Sequence, residues 1–489
     1  MKRLLVLIMV LLSSLTLIAC GGGDEPTQGG QQLKPGATVI TYCSWNVGTE
    51  EEMNIYRRQI YKFNETHDDV QIKIIEHEGD YDTFLSTMAS ARQLPDVFMV
   101  NSVPKAVINY LAKDITALAA ADDEWATVDS ALVESVTYND RLYGIPCGQY
   151  YIGYFANMTL LQTVMEEGVN AREKFAAGNY TTEEFITAVQ NLRNITGQQA
   201  NNTIGLDTTG DMINWLPSTL DTTGNIKHFV WNTEKLEFDL TSDVMYDSIR
   251  IINRLSDKTA AYTFQNVENK EEVFGPGDED ALFLAGKMGF RQSGTWQSSF
   301  TDARGLDVEF IGYPGANVIS TADYMCVSRA TKNPELAFEV AKFLSYGVEG
   351  TQVKFDVVDE ANDSKVAITG LPVVNNEEIA EKWFDYISLD GVKDVYEKVC
   401  NGQLTLIVEG NKSTPGFLDA RFHATTGLAY DTVNGGATLN MSEFIWAACS
   451  GSIGIDTYIA DMNTTLAAQI NKNIKDAYAQ IAVVASKEK

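Results

Sequence analysis

Two hydrophobic periodicities alternate across residues 37–100, and that alternation leaves the chain few folds to choose from. Ala37 to Cys43 (ATVITYC) is β-rich, Val70, Ile72 and Ile74 alternate with polar neighbours, and Asp96–Val100 (DVFMV) is a short apolar run. The first two read as strands, and the third as a strand buried in a parallel sheet. Between them Met53, Tyr56, Ile60 and Phe63 recur at helical spacing behind Thr49–Glu52, which has the pattern of a capping box. Asp80 stands where an N-cap would open a second helix carrying Phe84, Leu85 and Met88. Strand, helix, strand, helix, strand is a pair of right-handed crossovers in one parallel sheet. Ligands of open α/β sheets lie beyond the carboxyl ends of the strands. The residues there are Ser44–Trp45–Asn46, Glu76–Tyr81 and Asn101–Ser102, which makes Trp45, Asn46, Asp80, Tyr81 and Asn101 candidate ligand contacts.

The α/β pattern continues. Thr181 with Glu184 makes a second capping box ahead of Phe185, Val189 and Leu192, with Gly197 beyond. Asn333–Pro334 opens a helix with an apolar face at Leu336, Val340, Phe343 and Leu344. Ile459, Met462, Leu466, Ile470, Ile474 and Ile481 mark a long C-terminal amphipathic helix. Over 489 residues this implies more than one α/β lobe.

The N-terminus reads as an export signal. Met1–Lys2–Arg3 is cationic, Leu4 to Leu12 is apolar, and Leu17–Ile18–Ala19–Cys20 closes the segment. A small residue followed by cysteine resembles a bacterial lipobox, which implies lipidation of Cys20 and a membrane anchor on the extracytoplasmic face. Residues 20–36, rich in Gly, Gln and Pro, read as a flexible tether. Losing Lys2 and Arg3 with the leader takes the formal net charge from −29 to −31. Such a surface repels phosphate backbones, so nucleic acid is not an expected partner. The five cysteines beyond Cys20 include no C-x-x-C pair and read as small buried hydrophobes, with one disulfide possible. Four histidines and these spacings argue against a metal site, and Asp278–Glu279–Asp280 reads as a helix start, not a calcium loop. There is no G-x-S-x-G elbow, H-E-x-x-H helix, P-loop or dinucleotide fingerprint, so neither an enzyme nor a cofactor is expected, although the abundant carboxylates leave a glycosidase pair open.

An ordered set of blocks carries a more specific signal. They are TYCSWN, FNETHDDVQIKI, GDYDTFLSTMASARQLPDVFMV, DRLYGIPCGQYYIGYFANMTLL, TTEEFITAVQNL, ALFLAGKMGFRQSGTWQ and YMCVSRATKNPELAFEVAKFLSYG. Together they resemble the extracellular solute-binding lipoproteins of ABC importers, most nearly the sugar-binding branch (family 1). The likeness spans about residues 37–350; only Gly370–Leu371–Pro372 is familiar beyond it, and region 400–455 has no counterpart. The resemblance implies a periplasmic-binding-protein-like fold of two lobes around a ligand cleft, with hinge crossings near Gly148–Gly153 and Asp302–Asp307. Lobe 1 would be 37–148 plus 304–347, and lobe 2 would be 149–303 plus 348–489. It also implies a monomer that captures a carbohydrate, with an oligosaccharide expected, and delivers it to the permease subunits of an ABC transporter. A lipoprotein reporting to a membrane receptor, or a binder of a non-sugar solute, would read the same way.

Sugars present apolar C–H faces and hydroxyl rims, and aromatic rings with polar handles match both. Tyr138, Tyr143, Tyr150, Tyr151 and Tyr154 cluster near the expected crossing, and Trp215, Trp231 and Trp296 punctuate the expected second lobe. If the crossing is extended, Tyr150 and Tyr151 point to opposite faces. Trp296 follows Gly294–Thr295, and a Gly-x-Trp element is a ligand contact in the resembled family. By the same likeness, Asp323 and Tyr324 would lie in a contact loop. The expected contacts are therefore Trp45, Asn46, Asp80, Tyr81, Asn101, Tyr150, Tyr151, Trp215, Trp296 and Tyr324.

Overall fold

The three N-terminal strands form where the alternation places them: β1 (Thr38–Cys43), β2 (Val70–Ile74) and β3 (Val97–Val100). The first pairs in parallel with the other two, Ile40 opposite Ile72 and Tyr42 opposite Val97. All four residues of β3 are buried, which is why that segment shows no polar alternation. The coordinates are a computed structural model and describe residues 33–193, 203–268, 270–271, 276–297, 300, 305–361 and 366–488. The leader, Cys20, most of the tether, Gly197 and Asp302 lie outside the described residues.

Further strands are β4 (Ile145–Asn157), β5 (Ile204–Leu206), β6 (Met288–Gly294), β7 (Val308–Gly312), β8 (Asn317–Val327) and β9 (Thr405–Val408). One sheet runs β2-β1-β3-β8-β4-β6-β5, with β7 paired to β4 and β9 to β8. Hydrophobic burial divides this sheet into two lobes. Ile40, Ile72, Phe98, Val327, Phe338 and Phe355 belong to one core. Leu206, Ile249, Phe290, Phe417 and Phe444 belong to a second, which Phe155, Phe283, Phe310 and Val395 extend. The 13-residue β4 and 11-residue β8 are long because they cross between the lobes. Ile145 and Tyr324 lie in the first core; Tyr154 and Ile319 lie in the second. Their antiparallel register shifts between Asp323, opposite Gly148, and Tyr324, opposite Pro146. That irregularity marks the crossing.

Several local expectations are corrected. Thr49 and Glu52 do exchange capping bonds, with the Thr49 N–H 2.8 Å from Glu52 Oε2. They close a turn and not the helix, because Met53 takes φ 42° and Asn54 caps the Ile55–Thr66 helix. The C-terminal helix is interrupted: Ile455–Asp461, a π turn at Met462–Leu466, then Ala467–Ser486. All five described cysteines are free thiols.

The lobe boundaries also differ. Segment 305–320 packs with the second lobe, since β7 pairs with β4 and Phe310 lies in that lobe's core. Helix Val348–Ala361 packs with the first, where Phe355 is buried. It folds back there through Gly350, whose missing Cβ would sit 1.6 Å from the Phe343 carbonyl oxygen. The Gln59 amide fastens the turn, donating to the carbonyls of Gly350 (2.9 Å) and Phe343 (3.2 Å). We expect Gly350→Ala to destabilise the chain by about 2–4 kcal/mol, as overpacking against rigid backbone does. Urea unfolding checks this, and an unchanged midpoint would refute the packing account.

Candidate functional site

At the carboxyl end of β1 the chain turns through Ser44–Trp45–Asn46. Trp45 is half-buried and packs edge-on against Tyr81, with centroids 5.1 Å apart. Tyr81 is buried, its phenol bonded toward the carbonyls of Cys43 (3.0 Å) and Met99 (3.1 Å). It joins the ends of β1 and β3 and props Trp45, so the expectation of a direct contact does not suit it. Asn46 is half-buried and its N–H donates to Ser44 Oγ at 2.9 Å. Asp80 is exposed and accepts from the Thr83 N–H at 2.8 Å, the ordinary work of a helix cap. Asn101 donates its amide to Asp82 Oδ1 at 3.0 Å.

On the second lobe β6 ends in Gly294–Thr295–Trp296. The Trp296 indole folds back onto Gly294, where a Cβ would meet the ring at 2.0 Å, so only glycine lets it lie there. Thr295 ties the turn to β4: its N–H donates to the Tyr151 carbonyl (2.9 Å) and its hydroxyl accepts from the Tyr151 N–H (3.1 Å). Tyr150 meets the indole edge-on at 5.8 Å. Trp296 nevertheless keeps 44% of its surface exposed, a large apolar ring fixed in place and uncovered.

The other aromatic expectations are corrected by burial. Trp215 is 1% exposed, stacked on Tyr313 at 5.8 Å and donating its indole N–H to the Tyr154 hydroxyl at 3.1 Å. Tyr151 is buried in the second lobe beside Val318 and Leu371, pointing away from Tyr150 as period two requires. Tyr324 is buried within β8, not in a loop, and its hydroxyl pairs with Ser135 Oγ at 2.7 Å. These rings fill core space because strands distant in sequence converge on them.

Between Trp45 and Trp296 lies the crossing. Asp323 and the Tyr150 ring flank Gly148 at 3.6 and 3.5 Å from where its Cβ would be. Asp323 pairs with Lys412, whose ammonium lies 5.5 Å from the Trp45 ring centroid. Lys412 also accepts, through its carbonyl, the Val103 N–H at 2.9 Å. Region 400–455 thus enters the space between the lobes, and nothing in its composition announces this.

Sequence reasoning also passed over Asp207, which follows β5 directly. The carboxyl-end rule, applied to the second lobe as to the first, would have found it. Asp207 pairs with Arg291, whose Nε donates to Asp280 Oδ1 at 2.8 Å, and Gln297 Nε2 donates to Asp280 Oδ2 at 2.6 Å. This chain supports the Trp296 turn from behind. Burial, then the charge of Asp211, raises the Asp207 pKa to about 7, and burial raises that of Asp211 to about 6. An acid whose folded pKa exceeds its unfolded value of about 3.9 stabilises the fold fully only below that value, and the contribution is lost as pH rises through the folded pKa. Asp211→Asn is therefore expected to raise the melting temperature at pH 8 and leave it unchanged near pH 4. An equal shift at both values would contradict the assignment.

The comparisons with known proteins bear on this arrangement. The model of the bacterial extracellular solute-binding protein family matches residues 59–353. The chain belongs to that family. No curated protein matches it in sequence. Among solved structures, the fold is similar to a Listeria monocytogenes ABC substrate-binding protein in complex with cycloalternan, with a TM-score of 0.60 and 16% identity over 90% of this chain and 99% of that one. It is similar to the cyclic alpha-maltosyl-1,6-maltose binding protein of Arthrobacter globiformis, with a TM-score of 0.58 and 15% identity over 91% and 99%. A Rhizobium etli sugar transporter in an open conformation matches with a TM-score of 0.61 and 15% identity over 90% and 99%. This solute-binding protein therefore has the two-lobed α/β architecture of the periplasmic-binding-protein type. Its crossing strands carry Gly148 and Tyr150, and β9 lies beside them outside the matched residues.

Proposed function

We propose that the protein captures a neutral carbohydrate between its lobes and delivers it to an ABC permease, anchored outside the membrane through a lipidated Cys20. The observation that carries this reading is Trp296: an indole 44% exposed, seated on Gly294, tied to the crossing by Thr295 and bordered by Tyr150. A ring held open in this way is a platform for the apolar face of a sugar, and Trp45 offers a second beyond Lys412. Surrounding carboxylates and amides provide acceptors and donors for hydroxyls. The saccharide complexes of the structural neighbours support the same class, and a ring platform at each lobe favours an oligosaccharide over a single sugar. Closure about β4 and β8 would trap the ligand, and differential affinity for the closed state drives it.

A thermal-shift screen of the mature chain tests this. Neutral oligosaccharides, monosaccharides, amino acids and peptides at about 100 times Kd would each add roughly 2.7 kcal/mol if bound by the native state alone. We expect stabilisation confined to saccharides. Stabilisation by amino acids or peptides alone would overturn the carbohydrate reading.

A further inference from the structure

Arg421 is buried to 7% exposure without a carboxylate in ion-pair contact among the described residues. Its guanidinium stacks on Phe229 at 3.6 Å, and Nε and Nη2 donate to Ser442 Oγ (3.3 Å) and Asn214 Oδ1 (2.9 Å). Its Nη1 has no hydrogen-bond partner among the described residues. Burying a cation this way is costly unless something completes its shell. Two acids lie within its electrostatic reach, Glu409 and Asp211, yet neither closes on it. Glu409 is 9% exposed and held by Thr321 Oγ1 (2.7 Å) and Asn411 Nδ2 (2.9 Å). The carbonyl oxygen of that same Asn411 amide is buried with no hydrogen-bond partner among the described residues. Asp211, half-buried beyond the end of β5, has no hydrogen bond to its carboxylate among the described residues. Burial pushes both acids above the usual carboxylate range. Asn214, which Arg421 holds, lies in the same short helix, Gly210–Asn214, as Asp211, and Tyr313, Asp207, Arg291 and Lys412 are the other groups within electrostatic reach of the cluster.

Arg421 is held by Ser442 and Asn214, and Glu409 by Thr321 and Asn411, while the Asp211 carboxylate, Arg421 Nη1 and Asn411 Oδ1 have no hydrogen-bond partner among the described residues. Had the cluster been structural, the guanidinium would be expected to close on one of its two acids, since a bidentate pair is the favoured state of buried arginine. The geometry points to Asp211, Glu409 and Arg421 as a site for adjacent hydroxyls of a neutral sugar ring, each hydroxyl donating to a carboxylate and accepting from the guanidinium. Two of the three residues come from region 400–455, outside the matched family residues 59–353. Segment 400–455 would thus help to set the ligand preference of this chain. This rests on the carbohydrate reading and deepens it.

A neutral sugar that donates to Asp211 and Glu409 stabilises their charged forms, so binding near pH 6 should release protons. The test is calorimetric titration of the mature chain with neutral α-glucan oligosaccharides at pH 6, in two buffers of different ionisation enthalpy. Wild type, Asp211→Asn, Glu409→Gln and Arg421→Lys are compared, with thermal melts as folding controls. The substitutions by amide keep shape and remove the charged acceptor; the lysine keeps charge and loses the fork. We expect affinity to fall about tenfold or more in each variant, with proton release in the wild type and less of it in both amide variants. Should the wild type bind a saccharide while the folded variants match its affinity and proton release, the inference falls and the carbohydrate reading stands. Absence of binding by the wild type to every neutral saccharide, with binding to a non-sugar solute, would overturn both.

Discussion

Trp296→Ala is expected to weaken saccharide binding by about 2 kcal/mol, roughly thirtyfold, while leaving the melting temperature of the unliganded chain nearly unchanged. The expectation follows from exposure. A ring 44% open to solvent contributes little to the core, and the Thr295 bonds that hold the turn are made by Thr295 and Tyr151, not by the indole. Gly294→Ala makes an independent check without removing the ring. The new Cβ would sit 2.0 Å from the indole and force it off its seat, so affinity should fall although Trp296 is intact. Titration calorimetry of both variants decides. Wild-type affinity in both would remove Trp296 from the site.

Trp215→Ala is expected to act in the opposite way, costing about 3–5 kcal/mol of stability. The ring stacks on Tyr313, meets Phe185 edge-on at 5.6 Å, and hydrogen-bonds Tyr154, so its removal leaves a cavity and an unpaired phenol in the second core. Any loss of binding should track loss of fold and be recovered where the variant is folded, for example at low temperature. A variant as stable as the wild type in urea but deficient in binding would instead make Trp215 a ligand contact, as its place in the sequence suggests.

The two tryptophans show what the sequence can and cannot carry. Both lie in the second lobe, and both are candidates by residue type. What separates them is whether Tyr313 and Tyr154, brought in by strands far along the chain, close over the ring. Local periodicity was enough for β1, β2, β3 and the cap at Asp80, because neighbours in sequence settle those. It was misleading at Thr49–Glu52, where the capping bonds form but a positive φ at Met53 delays the helix. It was silent for Lys412, Glu409 and Arg421, which lie in a segment without strong periodicity and acquire meaning only once β9 joins β8. Asp207 was within reach of sequence reasoning, since it ends a strand of the second lobe.

Small-angle X-ray scattering of the mature chain, with and without a saturating neutral oligosaccharide, tests closure of two lobes on a carbohydrate most directly. The account predicts that the radius of gyration falls on binding, and that the fall disappears when Trp45 and Trp296 are both replaced by alanine. A saccharide that binds with an unchanged radius, or that still closes the doubly substituted chain, would contradict it.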